Sequence, residues 1–405
     1  MPISRRGLLA TAATALPLAR ARAAAGQTIK IGVLNDQSGP YRDTGGMTSV
    51  YCTRQAVQDF GDKGFPVEVV FADHQNKPDV GAAIARQWFD QDGVDMIVDV
   101  PTSSVALAVN AVVREKNKVF VDSGAATTDL TGKQCSPNTI HWTYDTYMLA
   151  RSTGGATVRA GGDTWFFLTA DYVFGHQLQR DATRFITASG GSVMGSATYP
   201  FPGTSDFSSF LLQAQASGAK VLGLANAGGD TVNAIKQAGE FGLTGKMQIA
   251  ALLMFLSDVH GLGLEAAKGL RLTESFYWDL NDRTRAFTSR VRSKTPENWP
   301  NMDHAGCYAG TLHFLKAVAD IGVAAAKASG RDVVARMKAM PTDDDAFGTG
   351  SIRIDGRGLH PAYLFQVKRP EESHGPFDYY NLIATTPADQ AWRPLSEGGC
   401  ALVHA

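Results

Sequence analysis

The chain of 405 residues is poor in the features that announce catalysis or membrane anchoring. It has four cysteines, at positions 52, 135, 307 and 400, and no pair has the C-x-x-C spacing of a zinc ribbon or redox couple. The nine histidines are scattered and form no H-E-x-x-H pattern. Neither G-x-S-x-G nor G-x-x-x-x-G-K-S/T occurs, which removes the usual nucleophile elbow and phosphate cradle. No nucleophile stands out with its base, so a non-enzymatic role without cofactor or metal is expected. An excess of positive charge is also missing. Lysine plus arginine total 38 against 39 acidic residues, which leaves nothing to hold a nucleic acid or an anionic membrane surface. Beyond the N-terminal segment there is no apolar run long enough to span a bilayer.

The N-terminus itself reads as an address. Arg5 and Arg6 precede a weakly apolar stretch from Gly7 to Ala19 and then the small residues Ala23-Ala24-Ala25, the order of a cleavable signal peptide. Ser4-Arg5-Arg6-Gly7-Leu8-Leu9 fits the twin-arginine export pattern, with the general secretory route as the alternative. No cysteine follows the small residues, so no lipoprotein anchor is indicated. Residues 1–25 are therefore expected to be a signal peptide and the remainder a soluble periplasmic monomer.

With 44% hydrophobic residues the chain can bury a large core, and its length suggests two domains. From Thr28 short β-branched runs alternate with amphipathic helices, the mark of parallel sheets covered on both faces. Strands are predicted at Ile29–Leu34, Val67–Ala72, Met96–Val100 and Val119–Asp122, with helices at Gly46–Phe60, Val80–Asp90 and Ser104–Glu115 between them. A second series follows Tyr144, with strands near Trp165–Leu168, Ser192–Thr198, Val221–Leu224 and Gln248–Ala251. In the helix predicted over Ser205–Ser217, Phe207, Phe210, Leu211 and Ala214 recur at helical spacing and belong in a core, with Thr204 or Ser205 as cap. Later helices at His304–Ala325 and Arg331–Lys338 and strands near Ser351–Ile354 and Ala362–Val367 are placed most economically if the chain returns to the first lobe and crosses again, near 144, 274 and 356. The expected fold is α/β, two Rossmann-like lobes with a site in the cleft beyond the strands' carboxyl ends.

Three strand ends carry residues suited to that cleft. Pro101-Thr102-Ser103-Ser104 lies between a buried strand and a helix start, where hydroxyls and unpaired backbone N–H groups favour an anion such as a carboxylate. The same hydroxyls would also serve as a plain helix cap. Ser123-Gly124-Ala125-Ala126-Thr127-Thr128 ends the next strand with small residues that admit a ligand to the backbone. Asn35 to Tyr41 ends the first, and Tyr41 either covers the cleft or packs on the surface. Ala227-Gly228-Gly229-Asp230 reads as the start of a helix, and Asp343-Asp344-Asp345 as a solvated turn.

Taken in order, these loops resemble the Leu/Ile/Val-binding family of periplasmic receptors, type I of that fold. The resemblance extends through Asp73-His74-Gln75-Asn76-Lys77-Pro78 and Leu168-Thr169-Ala170-Asp171-Tyr172-Val173-Phe174-Gly175. It implies three hinge crossings, closure on ligand, and docking onto an ABC permease. The implied lobes are 28–145 plus 275–355 and 146–274 plus 356–390, with 391–405 as a tail. The family's carboxylate loop matches Thr102, Ser103 and Ser104, its second binding loop Ala125, Ala126 and Thr127, and its second-lobe aromatic Tyr172 or Phe174. Asn226 and Phe255 join these as candidates to enclose the ligand's apolar body. Amino-acid receptors of the family place an acid after a second-lobe strand to pair with the ligand ammonium. Here the matching stretch, Ala250 to Leu256, has none before Asp258. The chain is more similar to members that bind aromatic carboxylates. A branched-chain amino acid receptor, needing Asp230, Asp258 or Asp303 at the cleft, and a ligand-sensing subunit of a regulatory system are the alternatives. The resemblance also brings the tail near the first lobe. With Cys135 and Cys400 in loop-like contexts, a Cys135–Cys400 disulfide is expected, leaving Cys52 and Cys307 as buried thiols.

Overall fold

The structure, a computed structural model, describes residues 28–403, so the expected signal peptide lies outside the described residues. Strand β1 (Ile29–Asn35) is apolar and almost wholly buried, as a central parallel strand covered on both faces must be. With β2 (Val67–Asp73), β3 (Met96–Asp99), β4 (Val119–Asp122) and β5 (Thr139–His141) it forms a parallel sheet in the order β2-β1-β3-β4-β5. A second parallel sheet, β7-β6-β8-β9, is built from β6 (Thr164–Ala170), β7 (Ser192–Tyr199), β8 (Val221–Ala225) and β9 (Gln248–Ala251). These are two Rossmann-like lobes. Strand β10 (Arg271–Glu274) pairs antiparallel with Ala362–Val367, which pairs in turn with Tyr380–Thr386, and Leu272, Phe365, Val367 and Tyr380 share an apolar core with the second sheet.

Helices cover the sheets, and those at Val173–Ala188 and Leu256–Leu262 add to the ones the period predicts. They are α1 (Gly46–Phe60), α2 (Pro78–Gln87), α3 (Ser103–Lys116), α4 (Val173–Ala188), α5 (Ser208–Ala216), α6 (Gly229–Glu240), α7 (Leu256–Leu262) and α8 (Met302–Ile321). Helix α8 returns to the first lobe and packs on α1. It lies very close to the sheet because Gly306 and Gly310 face it: a Cβ on Gly306 would stand 2.3 Å from a Thr143 methyl, and one on Gly310 would stand 2.5 Å from Val121.

Two expectations need correction. Helix α5 starts at Ser208, three residues later than the pattern suggests. The Asp206 carboxylate accepts the Ser208 N–H at 2.9 Å, while the Thr204 hydroxyl turns back to the Pro200 carbonyl at 2.8 Å and caps nothing. The apolar stripe itself stands, with Phe207, Leu211 and Ala214 buried. The Asp343–Asp345 run leads into a turn, with Asp343 exposed, but it is not simply solvated. Asp344 is buried and accepts the N–H groups of Ala346 and Phe347 at 2.9 and 2.8 Å, and Asp343 and Asp345 pair with Arg283, with Arg290 also on Asp345.

The lobes are joined where buried charges meet. Asp145 caps the short helix Thr146–Leu149 by accepting the Met148 N–H at 2.9 Å, and its other oxygen lies 3.4 Å from the fully buried Arg357. Arg357 also donates to the carbonyls of Gly358 and Thr143 and lies 4.2 Å over the ring of Trp392. After its last strand the chain returns to the first lobe, where Trp392 donates to the His360 carbonyl at 3.0 Å and Cys400 is disulfide-bonded to Cys135, their Cα atoms 5.6 Å apart. Cys52 and Cys307 are buried free thiols.

Candidate functional site

The carboxyl ends of both parallel sheets point into one cleft. From the first lobe it is lined by Tyr41 after β1, Thr44, Pro101 after β3, Gly124 and Ala126 after β4, and Tyr144 after β5. From the second it is lined by Tyr172 and Phe174 after β6, Ala227 after β8, and Leu253 and Phe255 after β9. This is where an open α/β sheet puts its ligand, because the loops that follow the strands are free to vary over a rigid base. No acidic or basic side chain is among the lining residues.

The lobes are closed on each other. The Tyr41 and Tyr172 hydroxyls meet across the cleft at 2.6 Å, and the Gly229 N–H donates to the Pro40 carbonyl at 2.9 Å. Phe201 stacks on both tyrosines, its ring 4.4 Å from Tyr172 and 5.4 Å from Tyr41. Burial pushes both phenols above their ordinary range, so they stay neutral. Tyr144 donates to the Gly124 carbonyl and presents its ring edge-on to Phe255 at 5.4 Å. The space left inside is about 10 Å³, room for roughly one water, so a ligand enters only as the lobes part.

Tyr41, Ala126, Tyr172, Phe174 and Phe255 thus stand on the cavity wall. Thr102, Ser103, Ser104, Ala125, Thr127 and Asn226 are not among the residues that line it. Thr102 is buried and its hydroxyl turns to Asn76 Oδ1, which is held in place by Asn76 Nδ2 donating to Asp36 at 2.6 Å. Ser103 Oγ is buried and has no hydrogen-bond partner among the described residues, while Ser104 lies in the first turn of α3. The Ala125 N–H donates to Asp122 at 3.0 Å, and Thr127 Oγ accepts the Asp129 N–H at 3.3 Å. Asn226 Oδ1 accepts from Thr231 at 2.7 Å, and its amide nitrogen is buried without a partner among the described residues.

Thr44, Tyr144, Leu253 and Phe201 were not read from the sequence. A signal for Phe201 was present, since it follows the predicted strand that became β7, whereas Tyr144 follows β5, which the sequence does not announce.

None of the acids that could greet an ammonium lines the cavity. Asp258 accepts the Phe255 N–H at 2.9 Å and is raised to about 7 by burial. Asp230 accepts from the Tyr199 hydroxyl at 2.8 Å and is raised to about 6 by burial. Asp303 sits beneath the first-lobe wall beside Asp99, and burial holds both carboxyls above their ordinary range.

Residues 28–374, nearly the whole described chain, match the model of the periplasmic binding protein family. The chain belongs to that family. A periplasmic binding protein from Burkholderia mallei is 47% identical, covers 93% of this chain and 99% of its own, and superposes with a TM-score of 0.88. A branched-chain amino acid ABC transporter ligand-binding protein from Burkholderia xenovorans is 38% identical over 92% of this chain and 99% of its own, with a TM-score of 0.80. A Leu/Ile/Val-binding protein homolog from Brucella melitensis is 22% identical over 80% of each chain. The closed, apolar cleft at the strand ends lies between the two lobes of this family member.

Proposed function

We propose that the protein is the exported solute-binding component of an ABC importer and that it captures a small apolar or aromatic carboxylate for delivery to a membrane permease. The observation that carries this reading is the wall of the cleft, which has five aromatic rings and no charged side chain. An amino acid's ammonium buried there would lack a counter-ion, a loss of several kcal/mol on the scale of a buried unpaired charge. A carboxylate is expected to find its partners in the first-turn N–H groups of α3 and in the Ser103 hydroxyl, which has no hydrogen-bond partner among the described residues. Stacking and edge contacts with the Tyr and Phe rings add about 0.5–1.5 kcal/mol for an aromatic body beyond its burial.

The relative from Burkholderia xenovorans favours a second reading, a branched-chain amino acid receptor. That ligand would have to reach Asp230 or Asp258, which line a groove beside the Pro40–Gly229 contact rather than the cavity. Calorimetry with benzoate, 4-hydroxybenzoate and leucine separates the two. The aromatic acids are expected to bind and leucine to bind weakly or not at all. Tight leucine binding with no response to either benzoate would overturn the ligand assignment. The double variant Thr102→Ala with Ser103→Ala is expected to weaken carboxylate binding by about 1.5–3 kcal/mol per charge-assisted bond lost. Unchanged affinity would move the carboxylate elsewhere.

A further inference from the structure

Beneath the first-lobe wall lies a knot of buried acceptors that solute binding leaves unused. Asp99 ends β3, and Asp303 and Cys307 stand one turn apart on the face of α8 that packs on the sheet; their ligating atoms all lie within 4.8 Å of one another. Residues four apart on a helix share a face, so the fold aims two donors from α8 and one from β3 at a single point. The oxygens there lack donors. Asn35 Nδ2 serves one Asp99 oxygen at 2.7 Å, but Asp99 Oδ1 and both oxygens of Asp303 have no hydrogen-bond partner among the described residues. Ser49, fully buried on α1, brings a fourth group: its Oγ lies beside Asp99 and Cys307 without hydrogen-bond geometry to either.

Two carboxyls out of water beside a thiol need neutralising. Two protons can do that, and so can a cation. The unpartnered groups favour the cation, since one metal ion would satisfy Asp99 Oδ1, both Asp303 oxygens and the Ser49 hydroxyl together, whereas a proton shared between the two carboxyls would leave the others unpaired.

We propose that Asp99, Asp303 and Cys307, with Ser49 as the fourth donor, form a structural Zn²⁺ site in the first lobe. One soft sulfur with hard oxygens at four positions suits zinc, whereas calcium and magnesium prefer six or more oxygens. The Ser123 hydroxyl, 3.1 Å from Cys307 Sγ, holds the sulfur in place. On binding, the thiol proton leaves to solvent while one carboxyl keeps its proton, so that the divalent ion is balanced by one thiolate and one carboxylate, and nothing is oxidised or reduced. The ion ties α8 to the end of β3 directly under the cleft, for a Cβ on Gly124, a cavity-lining residue, would stand 2.8 Å from Asp99 Oδ1.

All three ligands are buried, so the ion enters as the chain folds. The test unfolds the oxidised mature protein in denaturant with a chelator, then refolds it with Zn²⁺, Ca²⁺, Mg²⁺ or none, and reads bound metal and melting temperature. About one Zn²⁺ per chain and a higher melting temperature are expected with zinc alone, as for other structural zinc sites. Cys307→Ser and Asp303→Asn are each expected to lower zinc affinity at least about 100-fold, the upper end of what losing an outer-shell partner costs. Should Asp303→Asn fail to fold, Cys307→Ser decides. Wild type that refolds without retaining zinc, at the same melting temperature with and without it, would show that the carboxyls carry protons instead. Zinc held equally by Cys307→Ser would overturn the ligand set.

Discussion

Gly228 is the residue on which lobe closure turns. Its backbone has φ +60° and ψ −137°, a conformation open to glycine and little else, and a Cβ placed there would stand 2.5 Å from the Pro40 carbonyl oxygen and 2.9 Å from the Tyr41 ring. Gly228→Ala therefore has two costs. The backbone strain, about 1–3 kcal/mol, is present whether the lobes are open or closed and appears as a lower melting temperature. The clash exists only when closed. Relieving it pushes the 39–41 loop away, breaks the Gly229–Pro40 hydrogen bond of 2.9 Å, worth about 0.5–1.5 kcal/mol, and disturbs the Tyr41–Tyr172 pair. Together with overpacking, a closed-state penalty of about 1.5–3 kcal/mol is expected, which weakens ligand binding roughly 10- to 150-fold. Gly229→Ala is the control. Its Cβ would be 3.5 Å from the same oxygen, an ordinary contact in the first turn of α6, and near-wild-type affinity is expected. Calorimetry with the carboxylate that binds wild type most tightly measures the affinities, and small-angle scattering reads the lobe separation. Equal affinity and equal radius of gyration in Gly228→Ala and wild type would refute the reasoning, and so would an equal loss in Gly229→Ala.

Burial lifts Glu274 to about 8, although it accepts from the Tyr380 hydroxyl at 2.9 Å and the Met302 N–H at 3.3 Å. An acid whose folded-state value is raised stabilises the fold fully below its unfolded value near 4.5 and loses that contribution as pH rises through about 8. Glu274→Gln is accordingly expected to flatten the fall of melting temperature between these limits, and parallel wild-type and variant curves would disprove the buried-acid account. Replacing Cys135 and Cys400 by serine opens a loop that spans 265 residues of sequence and is expected to cost about 2–5 kcal/mol in urea unfolding; a loss below 1 kcal/mol would mean that the tail is held by Trp392 and Arg357 alone.

What the sequence made legible was local. The runs at Ile29–Asn35, Val119–Asp122 and Gln248–Ala251 are short, β-branched or apolar and bounded by turns, and they became strands at those places. Thr139–His141 and Tyr380–Thr386 were not read, because the first is only three residues long and the second leaves most of its side chains exposed, so neither has a hydrophobic period. In the cleft, Tyr41, Tyr172, Phe174 and Phe255 could be picked as aromatics after predicted strands. Phe201 follows the predicted strand Ser192–Thr198 as well, but it sits between prolines and its role, stacking on Tyr41 from the other lobe, shows only in the structure. Asp99 was hidden inside a predicted strand, Met96–Val100, and its partner Asp303 is more than 200 residues away.

The return of the chain to the first lobe bears on how the protein could be made into an optical sensor. The described chain begins at β1 and ends beside Cys400, and the disulfide fixes that end to Cys135, so both ends ride on the same rigid body. A donor and acceptor fluorophore fused at the two ends would move together and report little of closure. A responsive pair needs one label on the second lobe, for instance at the exposed Met194 on β7, set against one at an end of the chain.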